Sequence, residues 1–409
     1  MNEVEIAVVG GGAAGLMAAI QAGRAGCKSV VVLDGAKRIG AKILIAGGGR
    51  CNVTHYHVDA GAFAGSDRRS IDRVLRRFDV RRTIDFFDEL GVELKQEPTG
   101  KLFPVTDRAG TVLTALLKAV RDAGVQIRCS HRVERIQKSL DGFALEGTWG
   151  SFQANRVILA TGGKSVPETG SDGHGYDIAK ELGHSITSSV FPGLVPLTLP
   201  ENHFIRKLAG ISTEASVILS TGKGRTIISF RNSILLTHFG LSGPAILDIS
   251  RYVIDARSKD EGAHLLIDWL PDIENALLQK QLVDSVTSTP VSFLRKILPD
   301  RLAESLIDFS GVAPSIRLSQ LKRDERNTLV KNLKAFRVPI TGNRGFRYAE
   351  VTAGGVPLSE LNLNTMESLI QPSLYLCGEI CDVDGRIGGF NFQWAWASGA
   401  VAGLATARI

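Results

Sequence analysis

Apolar positions along the chain fall into short strand-like runs that end in glycine, separated by stretches of helical spacing. Residues 4–9 (VEIAVV) form the first run, and Gly10-Gly11-Gly12-Ala13-Ala14-Gly15 follows it before the helix-forming LMAAIQAGRAG. A second run, Ser29-Val30-Val31-Val32-Leu33, stops at Asp34. Arg156-Val157-Ile158-Leu159 and Leu374-Tyr375-Leu376 repeat the pattern, ending in Ala160-Thr161-Gly162-Gly163 and Cys377-Gly378-Glu379. Continuous apolar runs bounded by turn residues predict strands buried on both faces. Residues 130–136 are predicted as a further strand. Ile71, Val74, Leu75 and Phe78 recur at helical spacing, which predicts one amphipathic helix over DRRSIDRVLRRFDVRR, residues 67–82.

The middle of the chain is patterned differently. Residues 194–270 carry short β-type runs such as Ala215–Leu219 and Thr226–Phe230, whereas 272–335 is helical (ENALLQKQLVDSV, RLAESLIDF, DERNTLVKNLKAF). If the two ends share one site, the middle is an insertion. The predicted fold class is α/β: a Rossmann-like dinucleotide-binding domain (1–190 and 351–409) with an inserted β-barrel domain (191–271 and 336–350) that carries a helical cap (272–335).

Composition changes this picture little. The 409 residues are 44% hydrophobic and 22% charged, which suits a globular protein with a sizeable core. Forty-four glycines exceed the usual share of about 7%, and they cluster at the strand ends. Five scattered cysteines do not read as a disulfide framework, and the start of the chain lacks a secretory pattern, so a cytoplasmic protein is expected. Residues 390–407 hold no charge, but Asn391, Gln393, Ser398 and Thr406 point to a buried helix rather than a membrane span. The net charge of +6 reaches its sharpest local form in 67–82, with seven arginines against three aspartates, read as a solvated helix face.

The N-terminal turn carries chemistry. Gly10 permits the tight turn, Gly12 lets the backbone approach a pyrophosphate, and Gly15 lets the helix pack on its strand. The helix start at Ala13 and Ala14 offers N–H groups to phosphate. Asp34, with Gly35 after it, is placed to accept hydrogen bonds from an adenosine ribose and disfavours a 2′-phosphate. In place of further strand–helix units comes a glycine loop, KILIAGGGRCN, suited to passing close to a flat ligand. Its candidate contacts are Lys42, Gly48, Gly49, Arg50, Cys51 and Asn52, with Arg50 offsetting pyrophosphate charge and Asn52 meeting a ring edge. Leu44 and Ile45 suggest that the loop is partly buried. Ala160, Thr161 and Gly162 are expected beneath the adenine half, and the Val133 backbone at the adenine edge. Gly378 and Glu379 suit a ribityl chain, and the helix beginning near Gly389, Phe390 and Asn391 aims N–H groups at a flavin pyrimidine. The cofactor predicted is FAD. No second G-x-G-x-x-G argues for a dedicated nicotinamide domain.

With these segments in view, the chain resembles the bacterial family of aminoacetone-oxidase-like and BaiN-type flavoproteins. The resemblance rests on KILIAGGGRCNVT (42–54), THFGLSGPAILDISR (237–251), AEVTAGGV (349–356) and GEICDVDGRIGGFNFQWAWASG (378–399). It runs nearly end to end. A more distant similarity to fumarate reductases and ketosteroid dehydrogenases includes GHGYDIAKELG (173–183). Ala46 and Phe390 stand where that family commonly has Ser and Tyr, so fine specificity does not carry over.

The expected function is oxidoreduction of a small amine, carbonyl or enone by hydride transfer to or from flavin N5, with NAD(P)H or oxygen as a transient partner. His238 is the candidate acid–base, because its pKa range suits proton transfer. Thr352 is the next candidate for a flavin or substrate contact, and Arg347 and Tyr348 are candidates to anchor an anionic or carbonyl substrate. No metal constellation is present in the sequence, and His55 and His57 are read as surface residues. The paired cysteines Cys377 and Cys381 lack C-x-x-C spacing and are read as core. A nucleic-acid-associated flavoprotein, motivated by the arginine stretch, and a non-catalytic FAD sensor are the alternatives.

Overall fold

A computed structural model describes residues 2–407. The chain separates into two compact units: one runs through Pro192 and resumes at Ala349, the other is Gly193–Tyr348.

The first unit is built on a mixed sheet whose central strands run parallel. Strand β1 (Asn2–Val9) lies between β2 (Val30–Leu33) and the long strand Gly150–Leu159, and Leu374–Leu376 pairs on the far side of the latter. The main path is Leu361–Asn362, Glu367–Ser368, Leu374–Leu376, Gly150–Leu159, β1, β2, Gln126–Arg128. Register matters here: Val9 pairs with Leu33 and with Leu159, and Leu159 pairs with Leu376. Four strands therefore finish level, and Gly10, Asp34, Ala160 and Cys377 leave the sheet at one edge. In open parallel sheets ligands bind beyond this carboxyl edge.

Helix α1 (Ala13–Arg24) packs on the sheet and against the uncharged helix Phe390–Thr406. The two helices approach backbone to backbone. A Cβ on Gly399 would lie 2.4 Å from the Ala14 carbonyl oxygen, and one on Gly403 2.2 Å from that of Ala18. Trp394, Trp396, Ala397, Ser398, Ala400 and Ala402 are all buried, which explains the absence of charge. Among the described residues no helix is long and apolar enough to cross a membrane.

The arginine stretch forms two helices, not one. After α2 (Ala41–Gly49) come α3 (Arg68–Leu75) and α4 (Val80–Glu89). Asp67 caps the first by accepting from the N–H groups of Arg69 and Ser70, and Asp79 caps the second by accepting from that of Arg82. The capping aspartate at 79 breaks the continuous spacing that predicted a single helix. Residues 131–134 are likewise irregular; the strand starts later, at Arg135–Ser139, and pairs antiparallel with Gly142–Gly147.

The second unit is organised around seven antiparallel strands. Their path runs Phe336–Val338, His264–Asp268, Ser212–Ser220, Thr226–Thr237, Gly240–Ser242, Leu197–Thr198, Gly342–Asn343, with two ends. Inside the stretch that reads as short strands lies a long helix, Pro244–Lys259. Its alternating polar positions disguised a buried face of Ala245, Ile246, Ile249 and Val253. Four helices between Asn275 and Lys334 are inserted between two neighbouring strands of the sheet, and Leu278, Leu302, Leu306 and Leu329 among them are fully buried.

Candidate functional site

At the edge of the parallel sheet the glycine turn has the geometry its spacing predicts. Gly10 has φ +101°, and a Cβ there would meet the Ala160 carbonyl oxygen at 2.5 Å, so both conformation and space require glycine. A Cβ on Gly15 would lie 1.9 Å from the Gly10 oxygen, the close helix–strand contact. Gly12 differs: nothing lies within 4 Å of its Cβ position. It is the N-cap residue of α1, and no side chain caps the first N–H groups of that helix. Asp34 accepts hydrogen bonds from the N–H groups of Gly11 (2.7 Å) and Ala36 (2.8 Å), which fixes its carboxylate beside the turn. Gly35 packs against Arg132, and Val133 beyond it is buried.

The 42–52 segment starts as helix and then breaks. Ala46 is extended (ψ 144°), and Gly47 and Gly48 are left-handed, so α2 ends in a kink. Gly48 also faces open space. Leu44 and Ile45 are 42% and 52% exposed, contrary to the expected burial. Arg50 ion-pairs with Glu97 at 2.7 Å and covers the Phe103 ring, so its charge is met by a carboxylate of the same unit. Cys51 is buried in a left-handed conformation, and burial pushes its thiol up to about 12. Asn52 is buried, and its Oδ1 has no hydrogen-bond partner.

Lys42 and Glu379, 337 positions apart, form a half-buried ion pair at 2.7 Å. Ser165 joins them: it receives a hydrogen bond from Lys42 at 2.5 Å and donates to Glu379 at 2.7 Å. The Thr352 N–H donates to the same carboxylate, while Thr352 Oγ1 accepts from the N–H groups of Lys164 and Ser165. This network ties the strand end at 160–165 to 349–353 and 378–379. Ser165 was not foreseen; its only signal was its place just after the Gly162-Gly163 turn. Thr161 Oγ1, in the same turn, is buried without a partner, and Gly162 is left-handed.

The C-terminal segment meets the glycine turn directly. A Cβ on Gly378 would sit 2.7 Å from that of Ala14. The Gly378 N–H donates to Ser398, and its carbonyl accepts from Trp394, both on the uncharged helix. That helix begins at Gly389 (φ +96°), again with no side-chain cap. Phe390 stacks on His55, with centroids 4.9 Å apart. His55 is thus a packed residue, hydrogen-bonded to the carbonyls of His57 and Thr99, while His57 is exposed. Asn391 braces the preceding loop by bonding to both the N–H and carbonyl of Gly385. Gln393, unremarked as a brace, accepts from Thr54 and Thr83 and donates to the Phe78 carbonyl.

The fold therefore brings Gly10–Gly15, Asp34, Lys42, Ala160–Gly162, Gly378 and Glu379 to one region of one unit. His238, Arg347 and Tyr348 belong to the other unit. There His238 is exposed, its ring packed edgewise on Phe239 at 5.0 Å and its carbonyl bonded to Arg206. Tyr348 carries the Arg344 guanidinium over its ring. Cys377 and Cys381 are buried free thiols. No group of three or more His, Cys, Asp or Glu side chains able to hold a metal occurs among the described residues.

These residues fit FAD. Two uncapped helix starts, open space at Gly12 and Gly48, a fixed carboxylate at Asp34 and the orphaned Asn52 and Thr161 oxygens are what a bound dinucleotide with a polar ring edge would satisfy. Bound FAD supplies a hydride-accepting and hydride-donating ring; the chain supplies the cradle.

Comparison with known proteins agrees. Residues 4–405 match the model of the HI0933-like protein Rossmann domain. The chain is 36% identical over 408 residues to a 3-dehydro-bile acid delta(4,6)-reductase of Clostridium scindens, covering 98% of this chain and 99% of the relative. It is 35% identical over 401 residues to a ribosomal RNA dihydrouridine synthase of Escherichia coli, covering 97% and 96%. Among solved structures, the open conformation of a flavocytochrome c3 fumarate reductase is similar over 100% of this chain and 78% of that one, at 17% identity and a TM-score of 0.49. The chain belongs to the HI0933-like family, and it is an FAD-dependent oxidoreductase with a Rossmann-type cofactor domain.

Proposed function

We propose that the protein reduces carbon–carbon double bonds conjugated to a carbonyl. The observation that carries this reading is chemical. A 3-oxo-Δ4,6 steroid acid and a uridine differ in size and polarity, yet the reactions named for the two relatives both saturate a C=C bond conjugated to C=O. In such a bond the β-carbon accepts hydride and the α-carbon accepts a proton. One hydride and one proton are added, and a nicotinamide nucleotide is the proposed donor that restores the reduced cofactor.

On this reading the half-buried Lys42–Glu379 pair, held by Ser165 and Thr352, would hold the ribityl side of the cofactor, and Asn52 Oδ1 would accept from its ring edge. The uncapped start of Phe390–Thr406 would favour negative charge placed before it. His238 is the proposed proton donor to the α-carbon. The inserted unit Gly193–Tyr348, with its seven-stranded sheet as a barrel-like body and the helices of 275–334 as its cap, is the proposed substrate domain.

The test is anaerobic. Protein reduced by light is mixed with a cyclic enone, with uridine, with an amine-derived imine, or with oxygen, and the return of oxidised-flavin absorbance is followed. Fast return with a conjugated carbonyl, and slow return with oxygen, is expected. Bleaching of oxidised protein by a primary amine, with rapid reoxidation by oxygen and none by enones, would replace this reading with an amine oxidase.

A further inference from the structure

The arginine side chains of α3 and α4 have no part in the site above, yet with 364–365 and the C-terminal helix they line an open pocket of about 350 Å³. One wall is Arg76, Arg77 and Arg82 with Asn364 and Thr365; the other is apolar, formed by Phe78, Ala400, Val401 and Leu404. The charge in this wall is poorly compensated. Arg76 pairs with Asp72 at 2.7 Å, and the carboxylates of Asp67 and Asp79 cap α3 and α4. Arg73 and Arg77, however, both donate to the amide oxygen of Asn364, and Arg82 donates to the Arg77 carbonyl. Three donor nitrogens from two guanidinium groups converge on one neutral oxygen that has two lone pairs. The Arg73 and Arg77 guanidinium groups thus share a neutral acceptor in place of a carboxylate, an arrangement that an anion would relieve. All seven arginines of 67–82 are exposed, so the positive surface continues beyond the pocket.

We propose that this pocket binds a nucleoside phosphate, free or as a unit of a single-stranded RNA. The phosphoryl oxygens are taken by Arg77 and Arg82, whose forked donors match them, and the sugar and base lie on the Phe78–Val401–Leu404 wall. The proposal is independent of which double bond the enzyme reduces.

The test uses FAD-loaded protein and a short, fluorescently labelled single-stranded RNA at low salt, with uridine monophosphate and inorganic phosphate as competitors. Binding is expected to weaken as salt rises. The double variant Arg77→Gln/Arg82→Gln is expected to bind at least tenfold more weakly and to lower the log–log salt slope by about 0.7, the value for one single-strand phosphate. Its flavin spectrum should be unchanged, which separates loss of the pocket from loss of the fold. The charge-matched control Lys223→Gln/Arg225→Gln, on the other unit, should bind as the parent does. Displacement of RNA by uridine monophosphate identifies a free nucleotide as sufficient; RNA binding that the mononucleotide does not displace identifies the chain as the ligand. No binding of any probe, equal binding by the pocket variant, or equal loss in the control would each overturn the proposal.

Discussion

The two units reach burial by opposite means. In the first, α1 and the helix Phe390–Thr406 meet through glycine and alanine, with backbone oxygens where side chains would otherwise be. In the second, the helices of 275–334 and the seven-stranded sheet interlock through leucine, isoleucine and phenylalanine side chains. Close backbone contact leaves no room for adjustment, and it leaves helix starts bare. In the first unit Ala14, Gly378, Trp394 and Ser398 serve both the helix contact and the site. Side-chain packing in the second unit is built from larger and more varied groups.

Substitutions can break this contrast. Trp396→Ala removes a fully buried ring and its hydrogen bond to the Val53 carbonyl, and should cost about 3–5 kcal/mol by denaturant titration, with loss of bound FAD. Leu306→Ala, also fully buried, should cost about 2–5 kcal/mol yet leave the flavin spectrum intact. If the second variant sheds FAD as readily as the first, the units do not divide the labour as described. Gly399→Ala introduces one methyl 2.4 Å from the Ala14 oxygen; overpacking should cost about 1–3 kcal/mol and alter the flavin spectrum through displacement of α1. An unchanged spectrum would show that the helix contact and the cofactor edge are uncoupled.

The smallest effect concerns the thiols. Burial raises Cys51 and Cys377 to about 12 and pushes the Cys381 thiol well above its ordinary value, while Cys27 and Cys129 are only partly covered. Near neutral pH a thiol reagent should label Cys27 and Cys129 in the native protein and all five cysteines only after unfolding. The sign of the stability effect follows: a thiol with a raised folded pKa contributes fully below its unfolded value of 9.0. That contribution is lost as pH rises from there toward 12. Denaturation midpoints should accordingly fall in this alkaline window.

Much of the first unit was legible because backbone geometry and residue type are tied there. Gly10 must be glycine for φ and for space, and the runs at 4–9, 29–33, 156–159 and 374–376 are apolar because their strands are buried in the sheet's core. What escaped depended on partners far along the chain. Lys42 could be named as a contact, but its pairing with Glu379 through Ser165 joins three segments that no local spacing relates. Asp79 hid a helix break because an aspartate among arginines reads as charge balance as easily as a cap. Pro244–Lys259 hid among strands because its buried face is short and interrupted by Asp248 and Ser250, both of which are themselves buried.

Gly12 allows the most direct test that the turn after β1 is the FAD cradle. Its Cβ position meets no atom within 4 Å, and its φ of −77° is one any residue adopts, so Gly12→Val should fold with an unfolding midpoint close to that of the parent. The new side chain would occupy the space in front of the Ala13 and Ala14 N–H groups. Titration of FAD into flavin-free parent and variant should give one FAD per parent chain and an affinity at least a hundredfold weaker in the variant. A folded variant that binds FAD as tightly as the parent would contradict the account.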